Sequence, residues 1–313
     1  MTHDTTGTDS ENDQLDLFRS ALADATQTPA FEMLRADLVG NIDTPDAVPQ
    51  DKRLTGERQT QAVLLWLHRF GWLTSRMVAA LVFPTASQSW PLARRLLKKL
   101  LADKLILVRA LPQGGDVYLL SVKGARLLKE STGFAASSGQ SLAIGNAQHR
   151  ACGTWFLIGQ LQAGQDIFTE HEIASGRAPI QTLNGKMPDA LVVHDGGLVT
   201  WVEVENSWKN RARRQSVVDL ATRHLGRDKL TQVGKDANGS DLYLARLAVV
   251  ATGPDSLRCM AATFQESYRL QIASATCLGD VDVAVLPVSA SLVCGEITTG
   301  NLWWDVVQPH EPG

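Results

Sequence analysis

The chain contains 313 residues, 44% of them hydrophobic and 20% charged, a composition that is ordinary for a globular protein and excludes a collagen-like or wholly disordered chain. Its formal net charge of -3 conceals an asymmetry, because residues 52–129 carry 14 Lys and Arg against three Asp and Glu, a net charge of +11. Such a block is typical of a surface that binds a polyanion such as DNA, although a solvated basic face would have the same composition. The length predicts two domains, each able to bury a core.

No stretch of 18 residues is continuously apolar, and the first residues, MTHDTTGTDSEND, lack the cationic and apolar regions of a signal peptide. We therefore expect a cytoplasmic protein without membrane insertion. The four cysteines lie far apart and form no C-x-x-C pair, so we expect buried thiols rather than a zinc site or a disulfide framework. They are Cys152, Cys259, Cys277 and Cys294.

Residues 1–51 are acidic, with 11 Asp and Glu against two Lys and Arg. This composition predicts a partly disordered tail. The tail could cover the basic block in the absence of DNA, or it could serve as a solubilising segment or a docking arm for a partner.

Residues 52–130 are predicted to form a winged helix-turn-helix domain. Helical patterns cover 55–70, 75–82, 89–102 and about 122–130, and alternating strand patterns cover 105–111 and 117–121. Thr74 and Ser89 are predicted to cap the second and third helices. In a winged helix the third helix enters the major groove of DNA and the hairpin contacts the backbone.

The third predicted helix carries four basic residues on one broad face, because pairs four residues apart are neighbours on a helix. These residues are Arg94, Arg95, Lys98 and Lys99. We expect them to bind DNA; the alternative is a winged helix used for protein contacts.

Residues 131–145 are rich in Ser, Gly and Ala and are predicted to be a linker. Residues 146–313 are predicted to form an α/β (α+β) domain with a mixed sheet. Its predicted elements are helices at 147–162, 215–225 and 255–274, and strands at 166–173, 189–194, 198–205, 245–252 and 281–288. This order is the layout of a nuclease core.

The most informative segment of this domain is a predicted hairpin that carries three carboxylates. Glu203 and Glu205 are two residues apart on a strand and therefore point to one face. A three-residue turn at 195–197 would pair His194 with Leu198 and place Asp189 opposite Glu203 on the same face.

Three carboxylates at close range repel one another unless a cation joins them, and ligands that are all oxygen favour Mg²⁺ or Mn²⁺. Such an ion activates water and stabilises the charge that develops on a phosphoryl group. A basic run follows the hairpin and is suited to binding phosphates. Its residues are Lys209, Arg211, Arg213 and Arg214. The alternative is a polar hairpin face beside a basic helix start.

The combination of motifs resembles a known family. Pro188-Asp189 followed by Glu203-Val204-Glu205 is similar to the Pro-Asp and (Asp/Glu)-x-Lys signature of the restriction-endonuclease-like superfamily. Together with the winged helix, the linker, a helix that opens at 147–150 and a strand with Glu170-His171-Glu172, it resembles the replication-relaxation family, which includes MobC-type relaxases of mobilisable and conjugative plasmids. The resemblance covers residues 54–290.

The resemblance implies a relaxase with a restriction-endonuclease-like domain, which nicks one strand of double-stranded DNA at a transfer origin with a divalent cation. By position, Asp189, Glu203 and Glu205 match the acidic motif as catalytic and metal-binding residues, and Glu172 matches as a further metal ligand and His149 as a site residue. Glu205 stands where lysine is usual, so Lys209 or Lys186 is expected to supply the basic group. Relaxosome accessory and coupling proteins would be its protein partners.

The sequence lacks the motifs of two other classes of protein, the tyrosine relaxases and the P-loop motors. No His-x-His pair is present, none of the three tyrosines is near the acidic hairpin in sequence, and there is no phosphate-binding G-x-x-x-x-G-K-[ST] motif. Two alternatives stay open: a non-catalytic DNA-binding accessory or regulatory protein with a degenerate nuclease domain, and an endonuclease of defence or transposition.

Overall fold

A computed structural model describes residues 52–112, 114–133, 135–205, 210–225, 231–251, 281–285 and 303–306, together with several positions between 256 and 266. The acidic tail at 1–51, Lys209 and most of the helix predicted at 255–274 lie outside the described residues. Within this part of the chain, no helix is long and apolar enough to cross a membrane.

The first part of the described chain combines four helices with a three-stranded antiparallel sheet. Its elements are α1 (Lys52–Phe70), β1 (Trp72–Thr74), α2 (Ser75–Val82), α3 (Ser89–Ala102), β2 (Ile106–Ala110), β3 (Asp116–Leu120) and α4 (Val122–Thr132). The strand order is β1-β3-β2. The predicted helices and hairpin are confirmed, and the short strand β1, which was not predicted, pairs with β3.

Local side-chain chemistry sets two of these helix starts. Thr74 accepts a hydrogen bond from the backbone of Met77 and caps α2, as predicted. The prediction that Ser89 caps α3 is wrong, because Ser89 is already the first helical residue. The backbone N–H of Leu92, which a Ser89 cap would have bound, donates instead to the carbonyl of Gln88 (3.1 Å), so the helix begins one residue earlier.

The second part is a mixed α/β structure, as the sequence predicts. Its elements are α5 (Ala147–Gln162), β4 (Asp166–Thr169), α6 (Glu170–Ala174), β5 (Ala190–His194), β6 (Leu198–Glu205), α7 (Arg211–His224), β7 (Thr231–Lys235), β8 (Asp241–Ala251), β9 (Val281–Val285) and β10 (Trp303–Val306). The strands order as β10-β9-β8-β6-β5-β4, and β7 pairs with β8. The β6–β8 and β8–β9 pairs are parallel, and the other pairs are antiparallel.

The strand predicted at 166–173 is too long. It ends at Thr169, whose side chain accepts a hydrogen bond from the backbone of Glu172, while the Glu172 carboxylate accepts one from the backbone of Thr169. This reciprocal capping box turns the chain into the short helix α6.

The sheet of the second part is covered on both faces. On one face α5 packs against β5 and β6, where Gly153 brings the helix so close that an added methyl group would lie 3.2 Å from Val204 Cγ2. On the other face α7, Met260 and Phe264 pack against Trp201 and neighbouring apolar residues. Alternate residues of β6 are therefore buried on opposite sides of the sheet.

The two parts share one hydrophobic core. The cluster that contains Leu64 and Leu97 of the first part also contains Phe156, Val202 and Val250 of the second. The described residues of the segment predicted as a linker contain no helix or strand between α4 and α5, yet Arg109 of β2 donates hydrogen bonds to backbone carbonyls of this segment, including that of Leu142 (2.5 Å). The segment is thus fixed against the β2–β3 hairpin.

The cysteine prediction holds for one of the two described thiols. Cys152 is buried in α5, and burial raises the pKa of its thiol to about 12. Cys259 is exposed, so the expectation of a buried thiol is wrong there. Cys277 and Cys294 lie outside the described residues.

Candidate functional site

The acidic hairpin has the predicted turn and register. Asp195–Gly197 forms the turn, His194 pairs with Leu198, and both glycines of the turn have a φ of 75°, which favours glycine. The regular ladder ends at the pair Ala190–Val202, one pair short of Asp189 and Glu203.

The side chain of Asp189 replaces a backbone partner at the end of this ladder. The backbone of Asp189 donates to the carbonyl of Val202 (3.0 Å), and its carboxylate Oδ2 accepts from the backbone of Val204 (2.7 Å). The same oxygen lies 3.5 Å from Nε2 of His149 on α5. The Asp189 carboxylate is therefore hydrogen-bonded to the backbone of β6 and faces α5.

Glu203 is buried on the opposite side, with only 2% of its surface exposed. Its carboxylate accepts a hydrogen bond from Trp201 Nε1 (2.7 Å) and lies 2.9 Å from the Lys186 ammonium. Burial and the nearby Asp189 charge raise the pKa of Glu203 above its ordinary value, and Lys186 opposes that rise. Asp189 and Glu203 thus act on each other electrostatically.

The three predicted carboxylates do not form a compact cluster. Glu205 is buried farther along β6, and among the described residues no three His, Cys, Asp or Glu side chains are grouped to hold a metal ion. The prediction that all three converge is therefore wrong in its geometry. Its physical reason is the early end of the ladder, which leaves the Val204 N–H to be satisfied by Asp189.

Glu172 lies at a different place and has a different partner. Its carboxylate forms an ion pair with Arg69 of α1 (2.6 Å) and also accepts from the backbone of Thr169 (2.9 Å). Burial tends to raise its pKa, but Arg69, Arg177 and the Thr169 N–H outweigh burial, so the pKa is lowered. These contacts join α1 to α6, and we do not include Glu172 among the metal ligands of the function proposed below.

A small cleft opens beside Asp189. It lies between the start of α5 and the start of α6, and its polar lining includes His149, Arg150, Thr154, Glu170, His171 and Asp189. His149 and Asp189 therefore share a concave surface, whereas Glu203 does not line it.

The predicted DNA-binding residues on α3 are exposed, while Ala93, Leu97 and Leu100 of the same helix are buried. The four exposed residues are Arg94, Arg95, Lys98 and Lys99. Trp90, at the start of the helix, supports this surface: the guanidinium of Arg94 lies 5.1 Å from its ring centre and that of Arg76 lies 3.8 Å away.

The basic run after the hairpin is partly engaged within the protein. Arg211 pairs with Glu266 (2.6 Å), and Arg214 Nε donates to the Thr263 hydroxyl (3.3 Å). Arg213 is exposed near the start of α7. Two lysines were expected to supply the basic group of the site. Lys209 lies outside the described residues, and Lys186 contacts Glu203.

Comparisons with known proteins identify no relative. A scan against protein-family models gives no match, and searches of curated proteins and of solved structures give no significant match.

Proposed function

We propose that this protein is a DNA-binding relaxase that nicks one strand of double-stranded DNA in a reaction that requires Mg²⁺ or Mn²⁺. The observation that carries the proposal is that the Asp189 and Glu203 carboxylates, at the end of a buried hairpin, lie near enough to act on each other electrostatically, with the Lys186 ammonium 2.9 Å from Glu203. One or two carboxylates can hold a divalent ion that assists phosphodiester hydrolysis, and a lysine can stabilise the charge that develops on the phosphate. The order of motifs, which resembles the replication-relaxation family, supports a transfer origin as the substrate.

DNA binding is assigned to the first part of the chain, acting as a winged helix. Its helix order and its hairpin agree with that fold, and α3 presents four exposed cations on the side away from the core. Lysines and arginines at such a surface bind phosphates and displace counterions. The shared core would hold this surface at a fixed distance from the acidic hairpin.

The residues fit a hard divalent cation in part. Mg²⁺ is commonly held by one or two carboxylates, with waters and substrate phosphates as its other ligands, so Asp189 and Glu203 suffice in number. Burial, and then the Asp189 charge, raise the pKa of Glu203 by disfavouring its ionised form, which a nearby cation would favour. Glu205, which is buried two residues farther along β6, is given no metal-binding role in this proposal.

In this mechanism the ion would polarise the scissile phosphate and lower the pKa of the attacking water. Asp189, which lines the cleft and is oriented by the Val204 N–H, would hold it, and the buried Glu203 would add negative charge nearby. The Lys186 ammonium stabilises negative charge on the phosphate. Arg213, exposed at the start of α7, would bind a neighbouring phosphate.

A second candidate is a non-catalytic DNA-binding accessory protein. The observation that favours it is the environment of Glu203, which is almost fully buried and already bound by Lys186 and Trp201. A carboxylate satisfied in this way is stable without a metal. In this candidate the exposed basic residues of α3 bind DNA, and the protein does not cleave it.

The test is a nicking assay on supercoiled plasmid that carries the DNA neighbouring this gene, with Mg²⁺, Mn²⁺ or a chelator. The proposal predicts open-circular product from one strand, formed only with the divalent ion. Linear product from both strands would instead indicate a defence or transposition endonuclease. DNA binding without any cleavage would support the accessory protein.

A further inference from the structure

The start of α3 is joined to α2 by one aromatic side chain. Trp90, the second residue of α3, donates a hydrogen bond from Nε1 to the hydroxyl of Ser75, the first residue of α2 (3.1 Å). The Thr74 side chain caps α2 directly before Ser75, and Trp90, which is partly buried, also packs against the hydrophobic core. The position of the indole ring relative to both helices is therefore fixed by the fold.

Two guanidinium groups lie over this ring. The guanidinium carbon of Arg76, on α2, is 3.8 Å from the ring centre, and that of Arg94, on α3, is 5.1 Å from it. Both distances are within the range of about 6 Å in which an aromatic face attracts a cation. Arg94 follows Trp90 by four residues, which makes the two side chains neighbours on α3, whereas Arg76 reaches the ring from the adjacent helix. Trp90 therefore holds cations from two helices at one place.

Two positive charges beside one ring repel each other, and their own helices carry no acidic residue to offset them. Residues 58–102, which include all of α2 and α3, contain no Asp or Glu. The positive end of the α3 dipole lies at the same place, because Trp90 is in the first turn of that helix. Further exposed cations, Arg95 and Lys98, follow on α3. An anion that contacts both guanidinium groups would relieve their repulsion.

We infer that Trp90 is a positioning residue that holds Arg76 and Arg94 together as a binding site for the backbone phosphates of double-stranded DNA. This adds Arg76, which lies on α2, to the basic surface of α3. Guanidinium groups suit phosphates because their planar donors match the phosphate oxygens. Because the ring orders both side chains before DNA binds, less conformational entropy is lost on binding. The inference rests on the DNA-binding part of the proposed function and depends neither on a metal ion nor on the nicking reaction.

The experiment measures the DNA affinity of the full-length protein by fluorescence anisotropy, with a labelled duplex of the DNA that neighbours the gene, at several salt concentrations and without divalent ions. Trp90→Leu keeps every charge but removes the ring. We expect about a tenfold loss of affinity, because two arginine side chains would be ordered only on binding, with an unchanged slope of log K against log salt concentration. Trp90→Phe keeps an aromatic face and should recover most of the affinity.

Arg76→Ala removes a charge and leaves the ring. It should weaken binding and reduce the slope by about 0.9, the value for one lost phosphate contact. Arg126→Ala is the matched control, because Arg126 is an exposed arginine of α4 in the same part of the chain, and it should leave affinity and slope unchanged. If Trp90→Leu does not fold, the double variant Arg76→Ala/Arg94→Ala replaces it. Two guanidinium groups that act together give a loss of affinity that differs from the product of the two single losses.

A role of Trp90 confined to folding gives a different result. It would lower the Tm of Trp90→Leu and leave the DNA affinity of the folded variant unchanged, which would overturn the inference. Wild-type affinity and slope for Arg76→Ala, or independent losses in the double variant, would overturn it as well.

The result also separates this inference from the proposed function. If the variants bind DNA as expected but the wild type does not nick it, the proposed reaction fails and the phosphate site stands. If the wild type nicks DNA while Arg76→Ala and Trp90→Leu bind it like the wild type, the reaction stands and the phosphate site fails. A wild type that does not bind DNA contradicts both.

Discussion

His68 is held in its neutral form by the residues around it. Arg177 Nη1 lies 2.6 Å from His68 Nε2, and because a guanidinium has only donors, the ring nitrogen must accept. Burial, followed by the Arg177 charge, lowers the pKa of His68 from 6.5 to about 3. Burial and the charges of Arg177 and Arg150 lower the pKa of His171 to about 4.

These two histidines predict that the protein loses stability between pH 7 and pH 5. In this range the unfolded chain binds protons at His68 and His171 that the folded protein does not bind, so the free energy of unfolding falls as the pH falls. The Glu172 carboxylate acts in the same direction only at lower pH, because its pKa is lowered.

Urea unfolding at pH 7, 6 and 5 measures this loss in the wild type and in His68→Gln. The variant keeps an acceptor for Arg177 but has no group that titrates at this position. Its free energy of unfolding should therefore fall less than that of the wild type, by up to about 1.4 kcal/mol for each pH unit below 6.5. Identical declines in the two proteins would mean that His68 takes up its proton in the folded state.

At this scale the sequence predicts local geometry better than long-range partners. The turn and register of the hairpin near Asp189 and Glu203 were predicted from its spacing, but Glu172, matched by position as a ligand, is bound to Arg69, which is 103 residues earlier. Such a long-range partner leaves no local pattern. The turn that positions Lys186 could also have been predicted, because Asn184-Gly185 is a strong turn signal.

The helix α3 is the element that most directly tests DNA binding. Replacing its four exposed basic residues, Arg94, Arg95, Lys98 and Lys99, by Ala should weaken DNA binding and reduce the slope of log K against log salt concentration. Each lost phosphate contact accounts for a slope change of about 0.9. A fluorescence anisotropy titration at several salt concentrations measures both quantities.

The control for this variant is the loss of exposed cations from α4, a helix that is not expected to face DNA. The substitutions are Lys123→Ala, Arg126→Ala and Lys129→Ala. If both sets change the slope equally for each charge removed, DNA is attracted by the overall charge and α3 is not its specific contact.

Helices and turns were predicted correctly where a short stretch of sequence determines them. The helix at 147–162 has the predicted bounds, and the hairpin has the predicted turn. Strand β4 was predicted too long although Thr169-x-x-Glu172 is a readable capping box. The short strands β1 and β7 were missed because three to five residues carry too little periodicity.

The whole molecule is joined across its two parts by the Arg69–Glu172 ion pair. Both side chains are buried, and Arg69 also donates to the carbonyl of Ile167 (2.6 Å). The pair connects α1 with β4 and α6, beside the core that both parts share. The sequence predicted two separate cores and a linker, because neither a shared core nor the hydrogen bonds of Arg109 to the linker leaves a trace in local composition.

Breaking this pair should destabilise the molecule as a single unit. Glu172→Gln leaves a buried guanidinium without its carboxylate and should lower the free energy of unfolding by roughly 3 kcal/mol. Glu57→Gln, which removes the exposed partner of Arg53, should change it by less than about 0.5 kcal/mol. Chemical denaturation followed by circular dichroism measures both; equal effects would contradict a structural role for the buried pair.

The central claim is that Asp189 and Glu203 belong to a metal-dependent nicking site and that a separate surface of the protein binds DNA. The most direct measurement compares nicking of supercoiled cognate plasmid and DNA affinity for wild type, Asp189→Asn and Asp195→Asn in Mg²⁺ or Mn²⁺. Asp195 is the matched control, since it is exposed in the turn of the same hairpin. We predict that Asp189→Asn lowers the nicking rate at least about 100-fold, as expected for the loss of a residue in a metal-dependent centre, with DNA affinity retained, and that Asp195→Asn cuts like the wild type. Wild-type nicking by Asp189→Asn, or no metal-dependent nicking by the wild type, would contradict the account.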